Sequence, residues 1–243
     1  MIMAKKVSRV YEQREVVYRE DRWKILKGLR EVASSIMVTL ESKGVESIVH
    51  GSVARGDVNS KSDIDIFTPE TNPSYLIETA ITSGGFGISR RELEQATPAH
   101  VIKALIYINE KVKISFPLLP LRSKERDFYR FGGEIGLKEL KEGVRVPGVD
   151  KRLMMIIPTD YGHHEYSIID NSEEAAKVIG VSQELVKERI RVLTRRDDIG
   201  RTGVYYEEGL QDDESFESKL RDRISRDPNL KRLFQRRGLS FKY

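Results

Sequence analysis

The chain has 243 residues, a formal net charge of +4 and 33% charged side chains beside 39% hydrophobic ones. That balance is too apolar for a disordered chain and long enough to bury a core. With no cysteine, disulfides and thiolate zinc sites are excluded, and a reducing cytoplasm is the expected location. No apolar run approaches the roughly 20 residues of a membrane helix, and residues 1–6 carry no secretory leader pattern.

In chain order, Ser8 to Lys43 reads as one helix, because Trp23, Leu26, Leu29, Val32, Ile36 and Leu40 recur at three and four spacing. Gly44 stops it. Val45 to His50 is a short strand broken by Gly51-Ser52. Asp63-Ile64-Asp65-Ile66-Phe67 alternates as a half-polar strand. Asn72-Pro73 opens a helix over 74–82. Val101 to Ile108 and Val112 to Leu119 form a hairpin. Leu153 to Ile157 is a further strand. Glu173 to Ile179, a turn at Gly180 to Ser182, and Gln183 to Thr194 read as two helices, with Ser182 capping the second. Val204 to Tyr206 reads as β-ribbon. Phe216 to Ile224 and a helix opened by Asp227-Pro228 and closed by Gly238 complete the chain. Nine Lys or Arg lie between Lys219 and Tyr243, a pattern of a solvated helical face. His163 and His164 are expected at the surface, and Tyr161, Phe128, Tyr129 and Phe131 in the core.

The chemistry concentrates at two places. Asp63 and Asp65 are two apart on a strand, so both carboxylates project from one face. Carboxylates that close resist joint ionisation unless a cation shares them. A hard ion such as Mg²⁺ takes oxygen ligands and completes its shell with water or substrate phosphate. Eleven residues before Asp63, Gly51-Ser52 ends a separate strand. Glycine lets backbone approach a phosphate, and the Ser52 hydroxyl and nearby N–H groups can donate to it. Arg55 and Lys61 in the following loop are expected to add cationic contacts.

His50-Gly51-Ser52-Val53-Ala54-Arg55-Gly56 with Ser62-Asp63-Ile64-Asp65-Ile66-Phe67 resembles the signature of the DNA polymerase beta-like nucleotidyltransferase superfamily. The Gly-Ser-x-Ala-Arg-Gly form is most similar to archaeal CCA-adding enzymes and their small uncharacterised relatives. The resemblance is strong over about 45–67 and extends to about 120. It implies that Gly51 and Ser52 hold the triphosphate of an NTP, and that Asp63 and Asp65 bind two Mg²⁺ ions. One ion would activate an acceptor hydroxyl and the other would steady the leaving pyrophosphate. The family's third carboxylate falls on Val112-Lys113-Ile114-Ser115-Phe116-Pro117, where Ser115 occupies the acid position. Glu110, Asp127 and Glu134 are the other candidates for that acid.

Ala175 to Leu193 resembles a helix-turn-helix, and Arg195 to Gly203 is expected to form a wing. Such a module would present Gln183, Lys187 and Arg191 to nucleic acid, with Arg196 and Arg201 near phosphates. A helical hairpin packed on its own domain is the alternative. The expected class is α+β: a nucleotidyltransferase domain of mixed sheet and flanking helices over 1–125, a connecting segment over 126–169, and a helical, winged-helix-like module over 170–243. The expected function is Mg²⁺-dependent transfer of a nucleoside monophosphate from an NTP to an acceptor hydroxyl on RNA rather than DNA, away from membranes. The rivals are a transferase for proteins or small molecules, and a nucleic-acid-binding regulator with a catalytically degenerate fold.

Overall fold

A computed structural model of the chain describes residues 7, 12–200 and 203–237. In chain order the elements are β1 (Arg14–Val17), α1 (Glu20–Glu41), β2 (Ile48–His50), α2 (Ser52–Arg55), β3 (Ile64–Phe67), α3 (Ser74–Ser83) and β4 (Arg90–Gln95). Next come β5 (Lys103–Asn109), β6 (Val112–Pro117), α4 (Ser123–Phe131), β7 (Glu134–Gly136), α5 (Leu137–Lys141), β8 (Gly148–Val149), β9 (Met154–Thr159) and β10 (Gly162–Ser167). The last are α6 (Ser172–Ile179), α7 (Gln183–Ile199), β11 (Tyr206–Gly209), α8 (Phe216–Arg226) and α9 (Pro228–Arg236). None of the described helices is long and apolar enough to cross a membrane.

The elements gather into two compact units that interleave along the chain. The first takes the residues up to Ser35, Ile48–Asp65, and Ser123 to the end of α7. The second takes Ile36–Ser47, Ile66–Arg122, and Gly203 to the end of α9.

The first unit holds an antiparallel sheet in the order β1-β10-β9-β8. The pair α6 and α7 packs on it: Ala175, Ala176, Leu185 and Val186 share a buried cluster with Met155 of β9 and Tyr166 of β10. The turn between the helices is made as the sequence implies. Gly180 sits at φ 66 and Ser182 Oγ accepts from the Leu185 N–H. The same unit contains β2 paired antiparallel with β7, His50 lying opposite Glu134.

In the second unit β11, β4, β5 and β6 form an antiparallel run, and the Thr68 N–H just beyond β3 donates to Ser115 of β6. The hairpin β5–β6 matches its expected place. Phe116 and Phe216 meet edge to face at 5.4 Å, both fully buried. Glu217 of α8 accepts from the Ser74 N–H and hydroxyl at the start of α3, at 2.8 and 2.7 Å. Asp227 caps α9.

Several expectations are corrected. The first helix starts at Glu20, because Glu15-Val16-Val17 pairs along β10 and β-branched residues favour that pleated setting; Ser8 lies outside the described residues. The expected wing is helix instead: α7 runs through Arg195 to Ile199, since no breaker precedes Gly200, whose φ of 85 ends it. Arg201 and Thr202 lie outside the described residues. The ribbon near Tyr206 pairs with β4 in the second unit. Gly238, expected to close α9, is also outside them. His163 is buried, because its Nδ1 meets the Tyr18 hydroxyl at 2.6 Å. Tyr161 and Phe128 are exposed at 45% and 40%, whereas Tyr129 and Phe131 are buried.

Candidate active site

The first unit brings Gly51, Ser52, Asp63 and Asp65 into one compact body. The turn from β2 into α2 depends on glycine twice. Gly51 has φ 78 and ψ −142, a conformation costly for any residue with a Cβ. Gly56 closes α2 at φ 99, and a Cβ there would come within 2.5 Å of Arg145 Cδ.

The turn is held from outside itself. The Gly51 N–H donates to the Gly133 carbonyl at 2.9 Å. Arg55 Nη1 donates to the Gly132 carbonyl at 2.5 Å, and its Nη2 meets Asp57 Oδ2 at 2.9 Å, with Arg55 buried and the Asp57 side chain 11% exposed. Arg30 of α1 donates from Nε to Val53 O at 3.1 Å and from Nη2 to Ala54 O at 3.0 Å. Those carbonyls lie in the short helix whose last C=O groups have no intrahelical partner. No side chain caps the start of α2, so the Gly51-Ser52 end is where a ligand's oxygens can be taken up.

The acidic pair alternates as its sequence implies. Asp63 is exposed, Ile64 buried, Asp65 half-buried with Oδ1 buried, and Ile66 buried. The two carboxylates therefore share a face, with the isoleucines on the other. Among the described residues no group of three His, Cys, Asp or Glu side chains is gathered to hold a metal. The donor chemistry suits an ion that takes two protein carboxylates and fills its shell with water and phosphate oxygens.

Of the candidate cations, Lys61 is exposed in a turn where its N–H donates to Asn59 Oδ1. Arg55 is turned inward to Asp57 and Gly132, so its guanidinium braces the loop. Of the candidate third acids, Ser115 is buried and its Oγ approaches Ile66 O at 3.4 Å. Glu134 is clasped by Arg126, with Nη2 to Oε1 at 2.6 Å, and by Arg130 at 3.7 Å. Asp127 pairs with Arg130 at 3.4 Å, and Glu110 is exposed in the β5–β6 turn.

On α7, Lys187, Arg191 and Arg196 are exposed, and Gln183 is half-buried with Nε2 at 3.4 Å from Ser172 Oγ. Glu188 on the same helix pairs with Lys124. Arg189 lies over the Phe128 ring at 4.8 Å, and burial drops its pKa to about 10.

Sequence reasoning passed over Arg30, Gly132 and Gly133. Gly133, at φ 80, leaves room for the Arg55 stem, which would lie 2.8 Å from a Cβ there. A Gly-Gly dipeptide so far along the chain marks at most a turn and does not point to the site.

Residues 30–146 match the family model of the nucleotidyltransferase domain. The matched stretch contains Gly51, Ser52, Asp63, Asp65 and Ser115, begins at Arg30, and ends before β9 and the helix pair. No curated protein and no solved structure matches the chain.

Proposed function

Starting from a nucleotidyltransferase domain over residues 30–146, we propose that the protein transfers a nucleoside monophosphate from an NTP to an acceptor hydroxyl, with RNA as the acceptor. The observation that carries the reading is the pairing, in one unit, of an uncapped Gly51-Ser52 turn with the same-face carboxylates Asp63 and Asp65. Gly51 and Ser52 would receive the β- and γ-phosphates through backbone N–H and hydroxyl donors. Lys61, exposed on the loop between them and the acids, would add a cationic contact.

Asp63 and Asp65 would hold divalent cations, two by family resemblance, which when bound favour the acceptor alkoxide and offset charge on the leaving group. The acceptor oxygen bonds to the α-phosphorus, the α–β bridging P–O bond breaks, pyrophosphate leaves, and the acceptor proton passes to water. The chain's own part is positioning: Arg30, Arg55 and Gly133 fix the turn so that the triphosphate meets the acids in one geometry.

For the acceptor, the reading rests on motif likeness to archaeal CCA-adding enzymes and on the exposed cations Lys187, Arg191 and Arg196 of α7. Gln183 and Arg201 complete the proposed contact set. A second reading, nucleotide and nucleic-acid binding without transfer, is favoured by Ser115, which is buried and which the family resemblance aligns with the third acid.

The test is incorporation of labelled NTPs into RNA, DNA and protein acceptors with Mg²⁺. Wild type is expected to label RNA above the others, and Asp63→Ala/Asp65→Ala to fall to background. Equal signals from wild type and the double variant on every acceptor would leave only the binding reading. RNA affinity should fall steeply between low and moderate salt; a flat dependence removes the phosphate contacts assigned to α7.

A further inference from the structure

A cavity of about 580 Å³ opens between α1, α5 and the segment around Arg145, within the first unit. Its walls carry Trp23, Lys27, Arg30, Lys141 and Arg145, with Glu31 as the acid among its lining residues. Glu31 is exposed and lies 3.9 Å from Lys27, so it offsets one of the four cations.

The two arginines are unusual in their partners. Arg30 is 9% exposed, and its hydrogen bonds go to the neutral carbonyls of Val53 and Ala54. Arg145 donates to the carbonyls of Gly162 and Thr159, while its guanidinium stacks 4.7 Å from the Trp23 ring centre. Among the described residues neither arginine forms an ion pair within 4 Å. Asp160 and the Tyr18 hydroxyl partly offset the effect of burial on Arg145. Burial lowers the Arg30 pKa to about 10, and repulsion from Arg145 adds to that. Buried guanidinium groups are ordinarily matched by a carboxylate or phosphate that answers their planar donor fork. Here a buried Arg30 and a half-buried Arg145 of like charge stand beside an open cavity, flanked by two exposed lysines.

We propose that this cavity is a polyphosphate-binding site, separate from Gly51, Ser52, Asp63 and Asp65, in which Arg30, Arg145, Lys27 and Lys141 take the phosphate oxygens beside Trp23. The volume admits more than one phosphate group, and four cations against one acid suit a multiply charged anion. The ligand is either free pyrophosphate or the phosphate chain of a nucleotide, which share this chemistry.

Trp23 is the single tryptophan of the chain, so its fluorescence reports on the cavity. The full chain is titrated with inorganic pyrophosphate, and separately with ATP, in EDTA at low ionic strength. Without a divalent cation the Asp63 and Asp65 pair repels phosphate. The expected result is a saturable change in Trp23 emission with a rise in Tm. Lys27→Glu/Lys141→Glu, at two exposed positions that leave folding intact, is expected to weaken it about tenfold or more, because two attractive charges become repulsive. Asp63→Ala/Asp65→Ala is expected to retain it. A stronger response to pyrophosphate assigns the free anion, and a stronger response to ATP assigns the nucleotide; either supports the site. The proposal is overturned by any of three results. They are no saturable change or one matched by NaCl at equal ionic strength, a response unaltered in the lysine variant, and a response lost in the aspartate variant.

Discussion

Two glycine turns lead into helices within the first unit, and they are secured in opposite ways. At Gly180 to Ser182 the bonds are local: the Val181 N–H returns to Ala176 O, and Ser182 Oγ takes the Leu185 N–H at 3.2 Å. At Gly51 to Gly56 the local backbone bonds (Arg55 N–H to Gly51 O, Gly56 N–H to Ser52 O) are joined by bonds from far along the chain, from Arg30 and from the carbonyls of Gly132 and Gly133, and the helix start has no side-chain cap. The Ser182 cap leaves the α7 start with one donor fewer for a ligand. A turn that is gripped from behind, with its leading end uncapped, is fixed in shape and still able to donate to a ligand.

The largest expected effect follows from that grip. Arg55→Ala would leave the mostly buried Asp57 carboxylate uncompensated and the Gly132 carbonyl without its donor. The cost should be about 3–5 kcal/mol, the range for breaking one partner of a buried pair, read by denaturant unfolding. Arg55→Ala/Asp57→Ala should recover part of it. If Arg55→Ala instead keeps full stability and only weakens NTP binding, the guanidinium faces the ligand and the contrast between the turns fails.

Next in size are the glycines. Gly51→Ala meets no steric neighbour but must hold φ 78 with ψ −142, at a cost of about 1–3 kcal/mol. Gly180→Ala must hold the left-handed conformation at φ 66, at about 1–2 kcal/mol. Stability should therefore fall comparably in both. NTP affinity, measured by calorimetry with Mg²⁺, should fall only in Gly51→Ala.

That contrast also explains what could be read from the residues alone. The Gly180 turn, its Ser182 cap and both flanking helices were legible, because every contact lies within a few positions and follows helix periodicity. Gly51-Ser52 and the Asp63 and Asp65 alternation were legible as local motifs, a glycine that breaks a strand and a strand period of two. The bracing was not: Arg30 sits in a helical pattern like any polar residue, and its partners are two carbonyls that sequence cannot mark. Strand β4 escaped notice because Arg90-Arg91-Glu92-Leu93-Glu94-Gln95 is charged and lacks β-branched residues, yet β5 and β11 pair with it on either side. The wing expectation failed because Arg195 to Asp198 looks like a polar loop, whereas nothing in it stops a helix before Gly200.

The smallest effect separates the two serines that open the helices. Ser182→Ala removes the acceptor for the Leu185 N–H, and because Ser182 is exposed, water replaces part of it. A loss of about 1 kcal/mol is expected, a Tm shift of about 2–4 °C for a chain of this size, with NTP affinity unchanged. Ser52 caps nothing, so Ser52→Ala should leave Tm near wild type and weaken NTP binding through its lost hydroxyl. The two substitutions delete the same atom at neighbouring positions of a helix start, the N-cap of α7 and the first residue of α2. Opposite outcomes would mean that one serine serves the fold and the other the ligand. A Tm loss in Ser52→Ala equal to that in Ser182→Ala, with NTP affinity intact, would make the Gly51 turn an ordinary structural one.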